Sequence, residues 1–415
     1  MSQEKAERIR VLYSFPNKLG GARICYIAWQ QINGLAAAGA DLVVYPASAS
    51  RPVPSSARLS PTLACGKVRI PHRLLGNRRA HAMHDHIVAR RLESLVGKVD
   101  IIHTWPSGSV RTLKAAVRLG IPTVLERCNA HTRYAYEAVQ AECERFGITL
   151  PPGSEGAYNE ATLKVEEEEF DLADRLLCPS EFVVQTFLDK GFSADRLARH
   201  IYGFDETVYR PSPEWRLNRA GLRMLFVGFC AVRKGVHFAL QAWLNSNAHQ
   251  DGIFMIAGEF LPAYAEKLAP MLSHPSVRVL GHRNDVAELM RNSDVLVLPS
   301  VEEGFGLVCT EAMGSGCVPL VSVACTDVCR HMENALVHRV GDVGALTEHI
   351  TLLNEDRMLL QSLRSAGLSL RDRLTWKAAG EGLLAVYRET IAKHSVKATL
   401  RREPVGGLQQ YSPIS

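Results

Sequence analysis

The chain has 415 residues, too many for one ordinary core and suited to two domains of about 200 residues each. Apolar residues make up 47% and charged residues 22%, which excludes a disordered or fibrous chain, and the net charge of +5 is too mild to call for nucleic acid. The charged opening MSQEKAERIR and the lack of any apolar run near the roughly 20 residues that span a bilayer lead us to expect a cytoplasmic protein, at most peripheral on a membrane.

In chain order, short β-rich apolar runs bounded by Gly, Pro or Asp predict strands at RIRVLYSF, DLVVYPA, VDIIHTW, PTVLERC, RLLCPS and ARHIYG, all before residue 205. Helical-period segments such as ARICYIAWQQINGLAAAG, SVRTLKAAVRLG and SEFVVQTFLDKG lie between them. Gly20 and Gly21 follow the first strand as a turn. From Arg51 to Lys98, ten Lys or Arg face only Asp85 and Glu93, a field that suits an anionic acceptor, a membrane surface or simply solvent. Within it HAMHDH imitates a metal cluster but has no second ligand-bearing segment, so an exposed helix is expected, and EEEE at 166–169 reads as a charged helix face. Near Asp205 to Trp215, YRPSPEW breaks the periodicity and marks a domain joint.

A second series follows: LRMLFVGF, GIFMIAG, VRVLG, DVLVLPS, VPLVSV and ALVHRV, again alternating with helices. This predicts an α/β chain with two parallel sheets, each covered on both faces. In LTWKAAGEGLLAVYRETIAKH, Thr375 is placed to cap a final helix whose apolar stripe includes Leu383, Tyr387 and Ile391, and residues 395–415 read as a tail. The cysteines sit mostly in apolar runs as reduced core thiols, and CTDVC lacks a zinc spacing. No metal site is expected.

Open parallel sheets bind ligands beyond the carboxyl ends of their strands. After the strand DVLVLPS, the glycines of EGFG turn the chain into the helix LVCTEAM, which leaves the backbone N–H groups of Gly304, Phe305, Gly306 and Leu307 at a helix start. Glu311 lies one turn in and leans back toward Glu303. The two carboxylates suit a glycosidase pair or the binding of vicinal hydroxyls. In FVGFCAVRKGVHFALQAW, Arg233 and Lys234 precede another helix. At an effective dielectric near 20 one lysine about 4 Å from a negative charge gains about 4 kcal/mol, against roughly 0.3 to 2 from a helix end, so Lys234 is the stronger phosphate anchor.

These residues resemble the retaining glycosyltransferases of the glycogen synthase and sucrose synthase type, family four, with the GT-B fold. The resemblance rests on SDVLVLPSVEEGFGLVCTEAMGSGCVPLVS and FVGFCAVRKGV, with weaker matches at Gly20–Gly21, ADRLLCPSEFV, IYGFDETVYRP and GHRNDVAELM. It implies two Rossmann-like domains, 1–205 on the acceptor side and 206–375 on the nucleotide-sugar side, facing a cleft, with a helix at 376–394 crossing back. It also implies a nucleotide-sugar donor as substrate, no cofactor, and an acceptor hydroxyl on a polysaccharide, a lipid-linked glycan or a small molecule.

In those terms Glu303 and the amides of residues 304–307 hold the donor sugar, Glu311 the ribose, and Lys234 the diphosphate, while the loop with His282 and Arg283 seats the base. The leaving phosphate oxygen takes the acceptor proton. His131 is the first-domain cleft candidate, with Arg127 and Asn129 as rivals. The sequence departs from the family where Phe229 stands in place of an arginine, with Arg233 as its nearest substitute, and where ACTDVC replaces a glycine pair. The rival readings are a GT-B epimerase or inverting transferase, and a nucleotide-sugar binder without turnover. A dehydrogenase is disfavoured because no G-x-G-x-x-G follows a strand.

Overall fold

A computed structural model describes residues 8–65, 68–70, 75–213 and 220–402. Strands β1 (Arg10–Leu19), β2 (Asp41–Ala49), β3 (Ala57–Leu59), β6 (Ile101–Thr104), β7 (Thr123–Glu126), β8 (Arg175–Cys178) and β9 (Leu197–Arg199) form the first sheet; β4 (Ala64–Cys65) and β5 (Val68–Arg69) form a small separate hairpin. The sheet order is β3-β2-β1-β6-β7-β8-β9, with every neighbouring pair parallel. The second sheet comprises β10 (Arg223–Val227), β11 (Ile253–Ala257), β12 (Val277–Gly281), β13 (Val295–Leu298), β14 (Val318–Ser322) and β15 (Leu336–His338) in the order β12-β11-β10-β13-β14-β15, also parallel. Central strands such as β13, VLVL, are buried at every position, as strands covered by helices on both faces must be.

Around the first sheet pack helices α1 (Ile24–Ala37), α2 (Asn77–Arg91), α3 (Val110–Leu119), α4 (Thr132–Phe146), α5 (Glu160–Leu172) and α6 (Glu181–Leu188). Around the second are α7 (Val236–Asn245), α8 (Pro262–Leu272), α9 (Val286–Arg291), α10 (Leu307–Ser315), α11 (Val343–Glu355) and α12 (Arg357–Ser369). Strand order reverses between β1 and β6 in the first sheet and between β10 and β13 in the second. Ligand crevices of such sheets open where the order reverses. Those points carry the Gly20–Gly21 turn in one domain and both motif loops, 228–235 and 299–306, in the other.

The chain passes between domains twice, and the two crossings lie side by side. Phe204 N donates to Leu374 O at 2.9 Å, and a Cβ on Gly203 would stand 2.4 Å from Trp376 N, so only glycine admits this contact. Thr375 Oγ1 then accepts from Ala378 N at 3.2 Å, capping α13 (Trp376–Arg402). This helix returns to the first domain and buries Leu383, Leu384 and Tyr387 in its core. It crosses α1 glycine on glycine: a Cβ on Gly380 would meet the Gly34 carbonyl carbon at 2.2 Å. The helix runs on to Arg402, past the expected start of the tail, and residues 403–415 lie outside the described residues.

Beneath the first sheet's crevice is a buried polar network. Gln31 Nε2 donates to Glu126 Oε2 at 2.8 Å, Tyr202 OH to Glu126 Oε1 at 2.8 Å, and Tyr13 OH to Gln31 Oε1 at 2.5 Å. Burial pushes Glu126 up to about 7, against the hydrogen bonds of Gln31 and Tyr202. The network joins α1, β1, β7 and the residues just before the interdomain crossing into one rigid base.

Two expected surface features are surface on one side only: Met83 and His86 are exposed, as is Glu168, but their neighbours are internal. In HAMHDH, His84 is buried between Ser14 Oγ (2.9 Å) and Thr62 Oγ1 (2.8 Å), while Asp85 accepts from Arg111 N and Thr112 N at 2.8 Å each and so caps α3. In EEEE, Glu169 is fully buried and accepts from Ser107 N and Ser109 N at 2.7 Å each; burial and the adjacent Glu166 push it up to about 8. Of the basic stretch, Arg51 stacks over Tyr26 and Trp29 at 5.4 and 5.0 Å, and Lys67 and Arg73 lie outside the described residues. Among the described residues no helix is long and apolar enough to cross a membrane.

Candidate functional site

The loop after β13 and the helix it opens are shaped by three glycines with different tasks. Gly306 at φ 69° admits the turn into α10, and Gly316 at φ 76° ends that helix. Gly304 makes room for the other domain: a Cβ there would lie 1.7 Å from Cys128 O of the loop after β7. The facing loop needs its own glycine, since Gly235, at φ 68°, approaches so closely that a Cβ would stand 2.0 Å from Pro299 O. These contacts bring the turn Val232–Lys234 against the loop 299–306.

Their meeting makes an ion pair. Lys234 Nζ donates to Glu303 Oε2, which also accepts from Ser300 Oγ at 3.4 Å, while Glu303 Oε1 accepts from Gly304 N at 3.3 Å. Burial alone would raise the Glu303 carboxyl, but Lys234 and Arg233 outweigh it and hold it below its ordinary range. Glu303 is therefore a fixed anion.

Glu311 stands in a different environment. It is buried one turn into α10 and hydrogen-bonds Tyr209, from the interdomain crossing. Burial, with Asp205 nearby, pushes it up to about 7 against the Tyr209 hydrogen bond. The sequence alone leaves the two glutamates alike, whereas one is held charged and the other sits at the edge of neutrality.

Arg233 is not the free cation its position suggests. Its guanidinium donates to Glu302 Oε2 (3.2 Å), Glu302 O (3.1 Å) and Glu155 Oε1 (2.6 Å), and lies 3.9 Å from Glu303 Oε1. Burial opposes its charge, but Glu303, Glu302 and Glu155 together hold it above the ordinary arginine range. Phe229 has a cation of its own, because Arg23, two residues beyond Gly21, lies over its ring at 5.9 Å from across the cleft.

Of the amides at 304–307, that of Gly304 turns back on its own residue's neighbour Glu303, and its carbonyl accepts from Ser180 Oγ of the first domain at 2.6 Å. Phe305 packs with Tyr202, Trp376 and Ala379, anchoring the loop to both crossings. In the first domain, Gly20 N donates to Cys25 O (2.9 Å) and Gly21 N to Lys18 O (3.3 Å), so both amides serve the turn. His282 and Arg283 are exposed after β12, two strands from β10, and Arg283 Nε donates to Asp285 Oδ1 at 2.8 Å.

His131 is drawn away from this group. It caps α4, accepting from Arg133 N on Nδ1 at 3.2 Å, and its ring meets Phe170 and Phe187 edge-on at 5.2 and 5.0 Å. Burial first, then Arg127, Lys190 and Arg133, push it down to about 3, so it is neutral through the physiological range. Its rivals Arg127 and Asn129 do line a cavity of about 330 Å³ between the domains, together with Tyr136, Glu155, Arg233 and Glu302. Arg127 is braced there by Glu166 Oε2 at 3.3 Å and by the ring of Phe170 at 4.4 Å.

Two residues of this centre were missed in the sequence. Glu302 accepts from Ala130 N at 3.0 Å and so pins the domains together; the doublet EEG held that signal. Glu155, in the loop PPGSEGAYN, gave none. The ACTDVC departure is a packing feature, with Cys309, Cys325 and Cys329 grouped under the start of α10 and Cys325 Sγ donating to Leu298 O at 3.4 Å.

Two parallel-sheet domains closing on a shared cleft, with a lysine–glutamate pair at the second sheet's reversal point and a terminal helix crossing back, define a GT-B protein. Residues 27–202 match the family model "Glycosyltransferase Family 4", and residues 221–356 match "Glycosyl transferases group 1". The chain belongs to these GT-B glycosyltransferases of family four. It is 26% identical to a D-inositol 3-phosphate glycosyltransferase of Acidothermus cellulolyticus, over 92% of this chain and 88% of that one. Among solved structures it resembles a sucrose-phosphate synthase from Thermosynechococcus elongatus (TM-score 0.66, 18% identity, 93% of this chain and 100% of that one). It also resembles Anabaena HepE in complex with UDP (TM-score 0.63, 17% identity, 92% and 100%).

Proposed function

We propose that this protein transfers a sugar from a nucleotide-sugar donor to a hydroxyl acceptor with retention of anomeric configuration, in the synthesis of a polysaccharide or glycoconjugate. The observation that carries the reading is the ion pair of Lys234 and Glu303 at the second sheet's crevice, facing the first domain across a closed cleft. Lys234 meets the diphosphate, Glu303 and the amides at 304–307 orient the donor sugar, and Glu311 takes the ribose. His282 and its loop border the base, and the Gly20–Gly21 turn faces the diphosphate from the first domain.

As the bond from the anomeric carbon to the phosphate oxygen breaks, the acceptor oxygen bonds to the same face of that carbon. The acceptor proton passes to the departing phosphate oxygen. The charge that develops there is met by fixed cations and amides, which is where preorganised electrostatics contribute most. No step calls for a divalent metal or for a general-base histidine, and His131, pushed down to about 3, would be a weak base in any case.

The acceptor enters by the cavity beside Asn129 and Tyr136. UDP-sugars are the first donors to test, since HepE holds UDP, and a polyol phosphate is the first acceptor, after the Acidothermus relative's name. The test is turnover on a donor and acceptor panel with the product's anomeric configuration read by NMR. Retention supports the proposal, inversion replaces it with an inverting transferase, and UDP binding without turnover makes the protein a binder. Full activity after chelation is also expected; activity lost and restored only by a divalent ion would refute the metal-free account.

A further inference from the structure

We infer that Glu155, paired with Arg233 and Arg23, stands where the donor's diphosphate binds, and that Arg23, from the first domain, is a diphosphate ligand which Glu155 occupies until the donor arrives. The inference rests on the nucleotide-sugar reading above and adds to it two residues that neither motif contains.

Three cations converge on this one carboxylate. Arg233 Nη2 donates to Glu155 Oε1 at 2.6 Å, Arg23 Nη1 lies 3.5 Å from Glu155 Oε2, and Lys234 is close enough to act on it electrostatically. Burial opposes the charge on Glu155, but Arg233, Lys234 and Arg23 overcome it and hold the carboxyl below its ordinary range. An anion thus sits between the basic loop of the second domain and the Gly20–Gly21 turn of the first, where the two crevices face each other.

Charge balance shows why it must leave. Arg23, Arg233 and Lys234 face Glu155, Glu302 and Glu303, so the cluster is neutral as it stands. A diphosphate entering it would bring at least two uncompensated negative charges into a largely buried site, and withdrawal of one carboxylate would remove one of them and free the cations it holds. Glu302 is tied to the backbone at Ala130 N, and Glu303 to Ser300 Oγ and Gly304 N. Glu155 is the carboxylate built to move. It stands in the loop at 148–159, between Gly153 (φ 79°) and Gly156 (φ 85°), and its side chain keeps 30% exposure. Arg23 is the cation with most freedom to follow a ligand, at 73% side-chain exposure, and its other neighbour is the ring of Phe229.

Calorimetric titration of the full chain with UDP, and with uridine as the phosphate-free control, tests this. Wild-type binding of UDP checks the donor reading; no heat with UDP, ADP or GDP, together with no turnover, would sink that reading rather than this one. Given binding, Glu155→Gln should tighten UDP several-fold because no ion pair need break, with uridine unchanged, and Arg23→Gln should weaken UDP about tenfold. Thermal melts confirm that both variants fold. UDP affinity in Glu155→Gln equal to or below wild type overturns the placeholder role, as does an equal gain for uridine. Wild-type affinity in Arg23→Gln removes Arg23 from the site.

Discussion

The second-domain face of the cleft is built from two short loops, each continuous in sequence, and the first-domain face from single residues scattered over several elements. Lys234 and Glu303 come from two loops joined by the close approach of Gly235 to Pro299, by Val301 N donating to Arg233 O at 2.8 Å and by their own ion pair, at the point where the sheet order reverses. Opposite them, Arg127, Asn129, Glu155 and Glu166 come one or two at a time from a strand end, two loops and a helix, with Arg127 braced by Glu166. One face is announced by two recognisable motifs, whereas the other is assembled from residues that no single motif contains.

The comparison breaks first at Glu303. Glu303→Gln keeps the shape but leaves Lys234 without its counter-ion, so kcat is expected to fall by about 10²- to 10³-fold while UDP affinity changes less. Steady-state kinetics beside calorimetry separates the two; a larger loss in affinity than in kcat would make Glu303 a binding group only. Gly304→Ala tests the closure that joins the faces. The added Cβ, 1.7 Å from Cys128 O, pushes the domains apart, and kcat should drop at least tenfold with each domain still folded, which scattering and circular dichroism would show.

His131→Ala and Asn129→Ala sharpen the contrast within the first domain. His131 fills an aromatic pocket and caps α4, so its loss should cost about 2 kcal/mol of stability and leave kcat near wild type. Asn129 lines the cavity, so its loss should raise the acceptor KM and spare the melting temperature. A kcat collapse in His131→Ala without destabilisation would return the histidine to the cleft.

The same contrast explains what was legible in the sequence. Alternating strands and helices announced two parallel sheets, and SVEEGFGLVCTEAM and AVRKGV pointed to the second-domain face, because each motif is a continuous strand–loop–helix segment even though the two meet 69 residues apart. HAMHDH and EEEE were half legible as surface features: Met83, His86 and Glu168 are exposed, but Asp85 caps a helix beginning at Val110 and Glu169 accepts from amides about 60 residues upstream, partners no local pattern shows. Arg233 carried the right charge for a phosphate, but its carboxylate partner Glu155 sits in a loop that local pattern leaves blank. His131 had the right residue type and place after a strand, but its ring contacts with Phe170 and Phe187 come from residues that the local pattern does not connect to it.

Glu311 offers the smallest effect and the finest distinction between the two glutamates. A carboxylate accepts from ribose hydroxyls in its charged form, and Glu311 sits near pH 7 in the empty site while Glu303 is held lower. Below pH 7 a proton must leave Glu311 as the ribose binds, so UDP affinity should rise with pH by up to about tenfold per unit and level off above 7. Stability should move the opposite way. The folded-state value near 7 exceeds the ordinary 4.5, so the folded chain binds the extra proton, and this group's contribution is present below about 4.5 and lost as pH rises to about 7. Glu311→Gln should abolish both slopes and weaken UDP modestly at pH 8, leaving kcat nearly intact at saturating donor. If UDP affinity in the wild type were flat from pH 6 to 8 while Glu311→Gln still weakened it, Glu311 would be holding the loop through Tyr209 rather than the ribose.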